Sequence, residues 1–355
     1  MRLAKWLAIA SFSLVIATYH LPLIAQTRPT NALNLIRQGR QLWQRNDITG
    51  AIHAYRQAAE LEPRNAKIQL SLGYLLSLQN DFTNALSAFE RASQLDNRNV
   101  PALLGMGYIY GQQKDFAKAL DAYQRALALD DRNSEALQGV GYVLMEIKDY
   151  ANALKHFQRW QAIAPNSPDV YLSLGYLWKA QGDFQQATAA YQKAETLAPV
   201  RPEVWVSFGN FLLEQNQPDL ALQKFQRALQ IAPRHSEANL AIAKIYLQQN
   251  RNDEAIAALK QAVASQPRAI AIQQKLAEAY LAQNMTSWAI ITYRRILELA
   301  PDSAETHLTL GRILAQQNRK AEAIRFLEQA ETLFNRQGNS AGLASARQEL
   351  SRLRI

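Results

Sequence analysis

A 34-residue period runs through most of this chain and constrains its fold more than any other feature. Gly39, Gly73, Gly107, Gly141, Gly175, Gly209 and Gly311 fall on one place in the period, with Ala243 and Ala277 filling the two gaps. Ala51, Ala85, Ala119, Ala153, Ala187, Ala221, Ala255, Ala289 and Ala323 occupy a second place without exception. A third holds Tyr55, Phe89, Tyr123, Phe157, Tyr191, Phe225 and Tyr293, with Leu259 and Leu327 as substitutes, and a fourth holds Pro63, Pro165, Pro199, Pro233, Pro267 and Pro301. Self-similarity at one fixed interval means that each unit buries its apolar face against its neighbours. The array is therefore quasi-linear, and its 355 residues give no domain count.

Each unit reads as two helices. Leu172, Leu174, Leu177 and Trp178 form one apolar pattern and Ala187, Ala190, Tyr191 and Ala194 another, both at spacings of three and four. Gly182 and Asp183 form the turn between them, with counterparts at Asn46 and Asp47, Asn80 and Asp81, Lys114 and Asp115, and Lys148 and Asp149. Asn65, Asn99, Asn133, Ser167 and Ser303 are expected to cap the first helices, Pro101, Pro168 and Pro202 to sit in their first turns, and the proline series to stop the second helices. Gly175 and Ala187 are small where the paired helices cross. An apolar fraction of 48% with 19% charged residues suits a packed array, not a disordered chain.

Glycine, bulky apolar, alanine, aromatic, alanine and proline, in that order and at that period, resemble the tetratricopeptide repeat family. The resemblance implies an all-α, right-handed α-solenoid of antiparallel helical hairpins, its first helices lining a concave groove and its second helices forming the convex face. Nine repeats span 32–337, and Leu343, Ala346, Leu350 and Leu353 mark 338–355 as a C-terminal capping helix. Trp160 and Ile296 stand where the other seven repeats carry alanine, so both should spread the packing; Trp160 either changes the superhelical pitch or exposes an aromatic edge.

Residues 1–25 carry Arg2 and Lys5 ahead of an apolar run from Trp6 to Ala17, the pattern of a secretory signal peptide, with cleavage preferred after Ala25 and 26–31 left as a short linker. The alternative is an uncleaved N-terminal anchor, since Trp6 to Ala25 is roughly the 20-residue length of a membrane span. Both place the repeats outside the cytoplasm, periplasmic or secreted, with the membrane touched only through that segment. Cysteine is absent, which excludes disulfides, thiolate metal sites and a lipid-modified cysteine. Removal of residues 1–25 leaves 37 basic and 30 acidic residues, a formal charge of +7 that is moderate and not nucleic-acid-like.

No catalytic chemistry is expected. Signal, repeats and cap leave no stretch long enough for a catalytic domain. His20, His53, His156, His235 and His307 lie in separate segments without metal-ligand spacing, and Gly105–Gly111 falls inside a first helix, where it cannot be a phosphate loop. No cofactor is implied.

Tyr74, Tyr108, Tyr142 and Tyr176 form a further ladder at the 34-residue period. At 100° per residue, the stripe of Leu172, Tyr176 and Lys179 lies on the order of 130° from that of Tyr171, Leu174, Gly175 and Trp178, which packs inside the repeat. By the resemblance, the first stripe faces the concave groove. Its tyrosines are candidate ligand contacts, with Trp43, Lys179 and Asn210 on the same stripe and Gly105, Gly111 and Gly139 deepening the groove; equally, they could stack and stiffen the array. The family's clamp for a C-terminal carboxylate does not transfer: only Asn210 matches, and Val206, Glu237 and Ala241 hold the other places. Glu135, Asp169, Glu203, Glu237 and Glu305 recur in first turns, where they favour the helix dipole. Arg91, Arg125, Arg159, Lys193 and Arg227 recur on second helices and would bear any polyanion contact. The expected function is an exported scaffold or adaptor that holds a segment of a partner protein in its groove. The alternatives are a glycan-binding module that uses the tyrosine ladder and a regulator that presents substrate to an envelope enzyme.

Overall fold

A computed structural model describes residues 31–354, and the signal or anchor expected in 1–25 lies outside them. The chain divides into two compact units, Met1–Leu197 and Ala198–Ile355. The described part of the first contains α1 (Ala32–Gln44), α2 (Ile48–Leu61), α3 (Ala66–Leu78), α4 (Phe82–Leu95), α5 (Val100–Gln112), α6 (Phe116–Leu129), α7 (Ser134–Glu146), α8 (Tyr150–Ile163), α9 (Pro168–Gln181) and α10 (Phe184–Leu197). The second contains α11 (Pro202–Glu214), α12 (Pro218–Ile231), α13 (Ser236–Gln248), α14 (Asn252–Ser265), α15 (Ile270–Ala282), α16 (Thr286–Leu299), α17 (Ala304–Gln316), α18 (Lys320–Gln337) and α19 (Ser340–Arg354). Within each unit every odd-numbered helix up to α17 pairs with the next as a hairpin, each second helix also packs on the first helix of the following repeat, and α19 packs on α18. The fold is an all-α solenoid. None of the described helices is long and apolar enough to cross a membrane.

Glycine and aromatic rings together set the hairpin geometry. A Cβ built on Gly73 would come within 2.6 Å of the Phe89 ring, one on Gly107 within 2.7 Å of Tyr123 and one on Gly141 within 2.3 Å of Phe157. The first helix thus lies directly against the aromatic ring of its partner, a contact that any side chain would hold apart. Nine alanines, Ala51 to Ala323, are completely buried at the same crossing. Trp160 and Ile296, only 5% and 1% exposed, are absorbed into the core, so Trp160 presents no aromatic edge.

The turn inside each hairpin is also periodic. Asn46, Asn80, Lys114, Lys148, Gly182, Asn216, Asn250, Asn284 and Asn318 all have positive φ, the left-handed backbone that ends a first helix. Lys114 and Lys148 hold it with neither glycine's freedom nor asparagine's tolerance. In the first unit an aspartate follows, and Asp47, Asp81, Asp115, Asp149 and Asp183 each accept a bond from the amide three residues on. Asn65, Asn99, Asn133 and Ser303 cap first helices as expected. Ser167 makes no side-chain cap bond; Pro168, with φ already set for a helix, starts α9 without it. His235 takes a cap role that sequence reading missed, its Nδ1 accepting from the Ala238 amide at 3.3 Å.

A second periodic contact joins repeat to repeat. In the first unit the Tyr171 hydroxyl donates to the Pro165 carbonyl at 2.9 Å. In the second, Trp205 Nε1 donates to Pro199, Asn239 Nδ2 to Pro233 and Gln273 Nε2 to Pro267, at 3.1, 3.1 and 2.6 Å. His307 Nε2 lies 2.9 Å from the Pro301 carbonyl. Each donor stands six residues after its proline and satisfies that proline's carbonyl, in the turn just past the end of the second helix.

At the end of the second unit, Ala346 and Leu350 of α19 are buried with Leu327, Ala330 and Phe334, and Leu343 and Leu353 pack beside them. Arg312 to Glu349, Arg347 to Glu331 and Arg354 to Glu328 ring this contact with ion pairs of 3.0, 2.7 and 2.7 Å.

Candidate functional site

In the first unit α3 approaches α5, α5 approaches α7 and α7 approaches α9, whereas successive second helices make no comparable approach. A stack whose first helices lie closer together than its second helices curves inward on the first-helix side. Tyr74, Tyr108, Tyr142 and Tyr176 occupy one place on these four helices, and all four are half-buried.

The buried half of the ladder leans on the core. Tyr142 meets Phe157 edge-on at 5.6 Å and Tyr176 meets Tyr191 edge-on at 5.8 Å, in each case the aromatic of the partner helix. Tyr74 meets Trp43 edge-on at 6.0 Å, which links the first repeat to the second. Burial pushes the hydroxyls of Tyr74 and Tyr108 above their usual range and that of Tyr142 to about 12. The Tyr142 hydroxyl bonds the Ser173 hydroxyl on the next first helix at 2.8 Å, and Ser173 donates onward to the Asp169 carbonyl. The Tyr108 hydroxyl has no such partner among the described residues. The tyrosines thus stiffen the stack with one edge and leave the other on the inner surface.

The glycines correct one expectation. Gly105 and Gly139 do not deepen the groove, because each lies against the aromatic ring of the preceding repeat. A Cβ on either would come within 2.5 Å of Phe89 or Tyr123, so each ring is held between two glycines, Phe89 by Gly73 and Gly105 and Tyr123 by Gly107 and Gly139. Of the three glycines expected in the groove only Gly111 opens the surface, with nothing within 4 Å of the space a Cβ would take. At the other end of the ladder Lys179 Nζ stands 5.6 Å over the Tyr176 ring. Asn210 belongs to the second unit, where it donates to Glu237 at 3.0 Å.

The cations of the second helices are partly spent within the protein. Arg125 pairs with Asp121 at 3.4 Å, and Arg159 donates to the Asp131 carbonyl at 3.0 Å. Arg227, in the second unit, bonds Gln230 and stands over Trp205. Arg91 and Lys193 complete the series on exposed positions. A shallow cleft of about 340 Å³, absent from the sequence reading, lies between α4, α5 and α6, lined by Glu90, Met106, Tyr110, Lys118, Asp121 and Arg125 among others. Its charges are satisfied locally: Tyr110 donates to Glu90 at 3.3 Å and Lys118 pairs with Asp115 at 2.8 Å. No group of three or more His, Asp or Glu side chains among the described residues is placed to hold a metal.

Family models described as tetratricopeptide repeat match residues 36–100, 104–168, 172–236 and 275–340, and a second such model matches 212–279. The chain belongs to the tetratricopeptide repeat family. Among solved structures it is similar to yeast Tom70, with a TM-score of 0.65 and 19% identity over 93% of this chain and 70% of that one. It is also similar to a tetratricopeptide repeat protein from Parabacteroides merdae, with a TM-score of 0.57 and 18% identity over 70% of this chain and 98% of that one. At such identities the likeness shows the shared fold. No curated protein sequence matches the chain. Its architecture is that of a tetratricopeptide scaffold, a fold suited to contact between proteins.

Proposed function

We propose that this tetratricopeptide repeat protein is an exported, non-catalytic scaffold or adaptor that holds an extended segment of a partner protein against α3, α5, α7 and α9. The observation that carries this reading is the half-buried tyrosine ladder across four successive first helices, on the side toward which the stack curves. Rings fixed from behind by Phe157 and Tyr191 supply contact area at little entropic cost on binding. A presenter of substrate to an envelope enzyme is one form of the same scaffold. A glycan is less well served, because a sugar ring needs an open aromatic face, and Lys179 stands over that of Tyr176. Export rests on Arg2, Lys5 and the apolar run that follows them.

The test is affinity capture from native envelope extract with residues 26–355, wild type beside the double variant Tyr74→Ala and Tyr108→Ala. A partner protein retained by wild type and lost from a variant of unchanged helicity supports the groove. Equal recovery of the same proteins by both contradicts it.

A further inference from the structure

The groove proposed above is polarised along its length. In the first repeat Arg40 holds the place that Tyr74, Tyr108, Tyr142 and Tyr176 hold in the next four, and its guanidinium makes no ion pair among the described residues. Its Nε is buried without a hydrogen-bond partner, so this half-buried side chain carries a charge that no group among the described residues compensates. Lys67 adds a second cation in the next repeat. Within the first helices of this unit, carboxylates come only at the other end, with Glu135 and Glu146 on α7 and Asp169 on α9; Asp47, Asp81 and Asp115 lie in the turns that follow α1, α3 and α5. Between these ends lies the aromatic stretch, and within it the open space at Gly111. There the inward series of Trp43, Met145 and Lys179 is interrupted by Ser77 and Gly111. Ser77 folds its hydroxyl back onto the Tyr74 carbonyl at 2.7 Å, and nothing fills the space at Gly111.

We propose that the occupant of this groove is an extended protein segment that places an acidic side chain at Arg40 and a bulky apolar side chain in the opening beside Tyr108 at Gly111. The proposal rests on the groove reading and names the chemistry of the ligand. An uncompensated guanidinium in a half-buried wall gains most from a carboxylate, which it can hold bidentately. The open space at Gly111 lies three residues along α5 from Tyr108, whose ring is available to an apolar or aromatic group and whose hydroxyl, without a partner among the described residues, can donate to a backbone carbonyl. From α1 to α5 is two helix-to-helix steps, roughly 16–20 Å at 8–10 Å for each neighbouring pair. An extended strand covers about 3.3 Å per residue. The acidic and apolar positions of the ligand therefore stand about five or six residues apart.

The experiment is selection of a displayed library of random 16-residue peptides, fused through their carboxyl ends, on residues 26–355. Titrations of the enriched peptides follow against wild type, Gly111→Leu, Arg40→Glu, Arg40→Gln and Tyr108→Ala. Fusion leaves side-chain carboxylates as the acidic groups available. Enrichment of an acidic residue about five or six positions from an aromatic or large aliphatic one is expected, with affinity at least about tenfold weaker for Gly111→Leu and for Arg40→Glu. Arg40→Gln should weaken acidic peptides less than Arg40→Glu, and circular dichroism should be unchanged for Gly111→Leu, whose added side chain enters open space. Peptides that require Tyr108 but bind both Gly111→Leu and Arg40→Glu normally overturn this proposal and leave the groove reading standing. Peptides indifferent to Tyr108→Ala as well overturn both, and a library that yields no binder also counts against the proposal.

Discussion

Gly107 and Gly111 lie one turn apart on α5 and answer different needs. Gly107 faces the Tyr123 ring, where a Cβ would stand 2.7 Å from the ring carbons; Gly111 faces open space. Gly107→Leu is therefore expected to destabilise the first unit by about 1–3 kcal/mol through overpacking. Gly111→Ala should be neutral or stabilising by up to about 1 kcal/mol, because alanine suits a helix better than glycine. Urea unfolding followed by circular dichroism checks both, and a loss for Gly111→Ala would contradict the placement of that residue. The sequence made the period of Gly107 plain but pointed Gly105 and Gly139 toward the groove, where the structure does not use them. Their need for a small side chain comes from a ring in the preceding repeat, a contact that exists only once two hairpins stack.

Tyr142 carries a pH dependence at the same scale. Desolvation raises its hydroxyl from 10.0 to about 12, so the folded state holds that proton more tightly than the unfolded chain. The stability associated with it is complete below pH 10 and declines as pH rises toward 12. Tyr142→Phe should flatten this alkaline decline in a series of unfolding midpoints, while costing about 1 kcal/mol at neutral pH for the lost bond to Ser173. An unchanged alkaline slope would show that Tyr142 does not govern it.

Helix by helix, the joints between repeats show what sequence periodicity detects and what it passes over. Pro165, Pro199, Pro233, Pro267 and Pro301 were visible as a series because one residue type recurs. Their partners Tyr171, Trp205, Asn239, Gln273 and His307 were not, because a carbonyl requires only a donor, and five different side chains provide one. At His307 the donor must be Nε2–H, since the Pro301 carbonyl only accepts. His307→Gln should retain stability, because glutamine already makes this bond from Gln273 to Pro267, whereas His307→Ala should cost about 1 kcal/mol. Denaturant midpoints of the two variants decide it, and equal losses would argue that ring packing on Phe326, and not the bond, is what matters. The aspartate caps of the first unit follow the same logic. Their period was legible as a turn, but their end was not: Gln217, Arg251, Met285 and Arg319 take the place in the second unit without a side-chain cap bond.

Across the whole chain, the 34-residue period was sufficient to read a solenoid of helical hairpins, because glycine, alanine and aromatic places recur at close crossings that only one packing satisfies. The functional surface was less legible. The angle between two helical stripes marks which tyrosines leave the intra-repeat core, but not how far the neighbouring repeat covers them, and Tyr142 is tied to Ser173 by a contact of that kind. Curvature toward the first helices, the open space at Gly111 and Arg40 at the place of the ladder are the features on which the proposed groove and its direction rest. The measurement that tests it most directly is photo-crosslinking in living cells with benzoylphenylalanine placed at Tyr108 or, on the opposite side of the same repeat, at Arg125. The account predicts a discrete crosslinked protein from position 108 that is absent from position 125. A discrete product from position 125, with none from position 108, would contradict the assignment of the binding surface to the tyrosine groove.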